Sequence, residues 1–349
     1  MDTPQLPIRI VHLQGGLRAV DDRSGQIYVQ VHSKRRFIQF EAPEYANLYA
    51  TLQSLGFRVI GSEFVSNRGF AAPDWWFAPP EGQFKLTHES RDWSNVRHTA
   101  SEENKPSVVD IARRCTALLE LLGIRVWQMS NAYNGAYLAS ACDRELPDGN
   151  LFDNTYTPHI EAAIHAFLAD AASLRDLICE FVWTYVLENE GEVRKFKTFR
   201  TRARSATHPL AGEIIAEGES GWIKRLSYLR NDVLHFAPIG AHHTFPPCQA
   251  RQVQLPQGQQ VRYLVYGLVD RTIGEPGGER TLAALDEKEI IAELQAFAAK
   301  LNESEDALEY AWRVLGKLID LCNRARLASG LKGEMLTITD ADIVDFRMT

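Results

Sequence analysis

The chain has 349 residues and a formal net charge of −7, with 45% apolar residues. That composition excludes a disordered or fibrous chain, and the acidity excludes an overall basic coat, so any nucleic-acid contact must come from a local patch. The five cysteines form no CxxC pair, the start is not a secretory signal and no apolar run approaches ~18 residues. A disulfide framework, a zinc knuckle and a membrane span are therefore not expected, and a cytoplasmic location is.

Taken in chain order, Ile8–Leu13 and Ile27–Val31 read as strands, the second with period-two alternation. His32 to Arg36 reads as a turn into Phe37–Phe40. Tyr45, Leu48, Tyr49, Leu52 and Leu55 follow helical spacing up to a stop at Gly56, and Phe57–Ile60 reads as another strand. An irregular stretch is expected from Gly61 to about Pro106, with Trp75 and Trp76 anchoring a proline-rich loop. Ser107 and Asp110 suggest a capping box for a helix that Gly123 ends, and Ile124–Met129 reads as a strand. Residues 1–150 are expected to form a small α/β domain, bounded by Leu146-Pro147-Asp148-Gly149-Asn150.

Beyond that point the pattern is helical. Thr157-Pro158 suggests an N-cap and first-turn proline, followed by an apolar face from Ile160 to Tyr185. A second helix holds Val193, Phe196 and Phe199. A third starts at Ser220 and carries Trp222, Leu226, Leu229 and Val233. Arg251–Leu255 and Val261–Asp270 read as a β-hairpin, and Leu285 to Leu327 as helix again. The fold class expected is α+β: the α/β domain, then an all-helical domain over 151–349 with a hairpin insertion.

The third helix ends in Leu229-Arg230-Asn231-Asp232-Val233-Leu234-His235-Phe236. Arg-Asn-x-x-x-His near the end of a bundle helix, after a long helix and a basic one, resembles the signature of the HEPN superfamily (higher eukaryotes and prokaryotes nucleotide-binding). The resemblance covers roughly residues 151–330. It implies a four- or five-helix bundle that dimerises, and metal-independent endoribonuclease activity, often in toxins or phage-defence effectors. It places the family's functional residues on Arg230, Asn231 and His235.

The residue types suit that chemistry in their own right. Metal-free RNA cleavage uses the ribose 2′-hydroxyl as nucleophile, a group DNA lacks. An imidazole is the base best matched to neutral pH, and a guanidinium grips two phosphate oxygens while keeping its charge. Arg230 and His235 lie about 140° apart on a straight helix, so two such helices across a twofold axis would align them better than one. A plainer reading is open: Arg and His at a helix C-terminus also satisfy its last carbonyls.

Arg194, Lys195, Lys197, Arg200, Arg202 and Arg204 place six positive charges in eleven residues without an acid, the clearest candidate for RNA binding. Phe196 and Phe199 at this spacing are expected in the core. Asp176 and Glu180 could orient Arg230 or His235, with surface pairing to Arg175 or other cations the simpler expectation. His242 and His243 lack a third ligand at recognisable spacing, and Lys34, Arg35 and Arg36 read as a solvated turn. Neither a metal nor a cofactor is expected. The partners expected are RNA, a second copy of the chain and an antitoxin or other regulatory protein. A non-catalytic interaction protein and a ligand-sensing regulatory subunit are the alternatives.

Overall fold

The computed structural model describes residues 8–21, 25–32, 36–41, 48–65, 74–80, 86–140, 149–235, 245–256, 258–270 and 286–331, with the backbone alone at 31, 32, 36 and 74. The first part is built on strands β1 (Ile8–Leu13), β2 (Arg18–Asp21), β3 (Gln26–His32), β4 (Arg36–Glu41), β5 (Val59–Val65) and β6 (Asp74–Phe77). They form one sheet in the order β4-β3-β2-β1-β5-β6, antiparallel at every pairing. Its apolar side chains alternate into the core, as with Ile27 and Val29 on β3. Helix α1 (Leu48–Ser54) stops where Gly56 takes φ 90°, a left-handed turn a side chain would oppose. The arrangement is α+β.

Two long helices depart from the sequence expectation. α2 (Leu86–Glu102) occupies part of the stretch expected to be irregular, which also holds the end of β5 and β6. α3 (Pro106–Ser140) runs unbroken for 35 residues, straight through Gly123 and the expected strand at Ile124–Met129. The reason lies in packing. Leu119, Leu122, Val126, Met129 and Tyr133 are buried at helical spacing, and that period overrides the β-branched look of the segment. Gly123 is not a stop but a close approach: a Cβ there would lie 2.4 Å from Leu86 Cδ2 of α2. Nor does the expected capping box form. α3 begins at Pro106, so Ser107 falls inside its first turn, and Asp110 pairs with Arg113 (3.2 Å) and Arg114 (2.9 Å).

α4 (Thr157–Phe181) follows, with Tyr156 rather than Thr157 at the N-cap and a π-turn over Val182–Val186. Next come α5 (Phe196–Arg202), α6 (Pro209–Glu219) and α7 (Trp222–His235). Strands β7 (Cys248–Gln254) and β8 (Gln260–Tyr266) make the expected antiparallel hairpin. The last helical stretch is two helices, α8 (Glu287–Glu303) and α9 (Ala307–Ala328), because Asp306 caps the second by accepting from Glu309 N. α4 packs on α3, α7 and α9, and buried apolar residues of the sheet, these helices and the hairpin form one continuous core. Among the described residues no helix is long and apolar enough to cross a membrane.

Candidate functional site

The motif sits in the last two turns of α7. Ile223, Leu226 and Leu229 bury one face of this helix against the bundle, which turns the following residues outward. Arg230 is half-buried and its Nη1 donates to Asn231 Oδ1 at 3.1 Å. Asn231 and His235 are exposed, and Leu234 between them is 52% exposed. Among the described residues no hydrogen bond joins His235 to Arg230 or Asn231. One helix therefore presents the three side chains at one end of the bundle without assembling them.

The basic segment divides into a buried and a solvent-facing half. Phe196 and Phe199 enter the core, as their spacing suggested. Arg194 pairs with Glu192, Arg202 donates to the Glu192 carbonyl at 3.2 Å, and Arg204 lies 3.6 Å from Glu219. Among the described residues no ion pair engages Lys195, Lys197 or Arg200. Lys195 and Lys197 are exposed and Arg200 is half-buried.

Asp176 and Glu180 do not reach the motif. Glu180 pairs with Arg114 at 3.4 Å. Asp176 accepts from Arg175 Nε at 2.9 Å and Nη2 at 2.7 Å, and its same oxygen accepts from Phe196 N at 3.0 Å. Arg175 Nη1 donates to Ser227 Oγ at 2.7 Å, one turn before Arg230. Arg175 is buried, and no pattern in the sequence singles it out. The signal available was a charged residue set inside the apolar face of a long helix.

A second polar cluster lies between the sheet and α3. His12 Nδ1 stands 3.0 Å from Ser130 Oγ, and its Nε2 is 3.5 Å from Glu63 Oε1. Arg18 donates to Ser130 Oγ, Ser130 O and Asn131 Oδ1 at 2.9–3.1 Å, and Trp127 Nε1 donates to Glu63 Oε2 at 2.8 Å. Burial, with the charge of Arg18, pushes His12 down to about 3 against the pull of Glu63. Serine, imidazole and carboxylate in a row resemble a nucleophilic array. Yet His12 and Ser130 have no exposed surface, so no substrate reaches them, and the cluster fastens the sheet to α3. Trp75 belongs to this region, its ring edge-on to His12 at 4.8 Å. It lies on β6 rather than in a loop.

His242, His243, Lys34, Arg35 and Phe236 lie outside the described residues. Among the described residues no three of His, Cys, Asp and Glu are grouped closely enough to hold a metal ion. Compared with known proteins, the chain matches no family model, no curated protein and no solved structure.

Proposed function

We propose that the chain is a metal-independent endoribonuclease whose site is the C-terminal end of α7, within a HEPN-like helical part. The observation that supports this best is that α7 buries one face in the bundle and at its end leaves Asn231 and His235 exposed beside a half-buried Arg230. The cations of Lys195, Lys197 and Arg200 supply the phosphate contacts that an acidic chain otherwise lacks.

His235 takes the proton from the ribose 2′-hydroxyl, whose oxygen attacks the adjacent phosphorus. The bond from phosphorus to the 5′-oxygen breaks, and that oxygen takes up a proton as it leaves. The products are a 2′,3′-cyclic phosphate and a 5′-hydroxyl. Arg230 holds the phosphate and stabilises the charge that develops on it, and Asn231 orients the guanidinium it already accepts from.

Exposed Leu234, set between the motif residues, fits a second copy of the chain placing its own α7 alongside. Each cleft would then combine residues of both copies. A partner protein covering Leu234 is the second reading, in which this end of the bundle is a regulatory or antitoxin contact.

The test is RNA cleavage in EDTA by the purified full chain. The expected result is cleavage by the wild type, reduced about 10²–10⁴-fold by His235→Ala and about 10²–10³-fold by Arg230→Ala. Mixing the two variants restores part of the activity if the clefts are shared. Cleavage unchanged in both variants, or no cleavage of any RNA, would overturn the proposal.

A further inference from the structure

Three elements of the proposed site region meet at one buried side chain. Arg175, only 7% exposed, lies on α4, with α5 on one side and α7 on the other. Its Nη1 holds Ser227 Oγ of α7 at 2.7 Å, and Ser227 also donates to Ile223 O at 2.8 Å. Its Nε and Nη2 hold Asp176 Oδ1, and that oxygen accepts the amide of Phe196, the first residue of α5. The guanidinium also lies 5.4 Å from the centre of the Phe196 ring. One planar fork thus reaches the motif helix directly and the cationic helix through one carboxylate oxygen.

An apolar pair would fill the same space, since replacing a buried ion pair by well-packed hydrophobes is often neutral or stabilising. What an apolar pair lacks is direction. Three aimed N–H groups fix the rotation and register of both helices, and a lysine could not reproduce them.

We infer that Arg175, with Asp176 and Ser227, is a positioning clasp that sets the cationic face of α5 in register with Arg230 and His235. RNA gripped by Lys197 and Arg200 is thereby delivered to the motif. The inference rests on the RNA-cleaving reading of α7. Arg175 touches no substrate, so it is a positioning residue and not a catalytic one.

Ser227→Ala cuts the branch to α7 and leaves the branch to α5, whereas Arg175→Lys disturbs both. Ile164→Val, a small change in the α4 core away from the clasp, controls for lost stability. The readouts are the single-turnover cleavage rate at saturating RNA, the affinity for a labelled 2′-O-methyl RNA oligomer, and hydrogen exchange of the backbone amides. Ser227→Ala is expected to lower the rate by about 10- to 100-fold through misplacement alone. Its RNA affinity stays within about twofold of wild type because the phosphate-binding charges are unchanged. Arg175→Lys loses rate and affinity together, and its amides exchange faster over both 196–202 and 227–235. Ile164→Val leaves the rate unchanged.

A rate unaffected in Ser227→Ala, or lowered as much in Ile164→Val, overturns the clasp. If the wild-type chain cuts no RNA, the nuclease reading fails and hydrogen exchange judges the clasp separately. Faster exchange in both helices of Arg175→Lys supports it, and unchanged exchange in either one overturns it.

Discussion

His12 is an imidazole with no surface, between a serine hydroxyl and a carboxylate, beside a buried guanidinium. It must stay neutral while the chain is folded. Unfolded, it titrates near 6.5; folded, burial first and Arg18 second take it to about 3. A folded value below the unfolded one means that its contribution is complete above pH 6.5 and is lost as pH falls toward 3. Asp306 acts in the opposite sense. Burial raises it to about 6, above its unfolded 3.8, so it favours the folded state as pH falls between those values. His12→Gln removes the first effect and leaves the second. Urea unfolding between pH 7 and pH 5 should therefore show the wild type losing up to about 1.4 kcal/mol per pH unit more than the variant. Parallel pH profiles would show that His12 is not the buried neutral base described.

At the scale of elements, α5 is a short helix that carries both apolar anchors and cations. Phe196 and Phe199 hold it to the bundle, Lys197 and the preceding Lys195 are exposed, and Arg200, four residues after Phe196, is half-buried. If those cations track RNA, replacing all three by alanine removes three phosphate contacts. The slope of log affinity against log salt for single-stranded RNA should then become shallower by about 2. An unchanged slope would place the RNA track elsewhere. The sequence made this segment legible because six cations and no acid fall within eleven residues, around two phenylalanines at core spacing. It also made the hairpin, α4, α7 and strands β1, β3 and β4 legible, since each has a clear period or a turn marker. α3 was misread because Gly123 and Ile124–Met129 carry a helix-stop signal and a strand composition. What decides them is the burial of Leu119, Leu122, Val126, Met129 and Tyr133 at helical spacing, with Gly123 making room for Leu86, 37 residues away. The candidate motif was visible at Arg230, Asn231 and His235, and so was the pairing of Asp176 with Arg175, but the reach of that pair to Ser227 and Phe196 was not. Ser227 and Phe196 reach it only after α4, α5 and α7 have packed.

For the whole molecule, the sheet and the helices act as a frame around one exposed helix end. His12, Arg18 and Ser130 tie the sheet to α3, α3 packs on α4, and α4 holds both α5 and α7. The frame thus fixes α5 and α7 and leaves Asn231, Leu234 and His235 in the last turns of α7 exposed. An identical substrate tested with one atom removed distinguishes this account from non-specific breakdown. A defined RNA oligomer that the chain cuts in EDTA is remade with 2′-deoxyribose at the nucleotide on the 5′ side of the cut, and the products of both are resolved by mass. The account predicts a 2′,3′-cyclic phosphate from the all-RNA oligomer and no cut at that position in the deoxy version. Cleavage at the deoxy position, or products ending in 5′-phosphate, would contradict it.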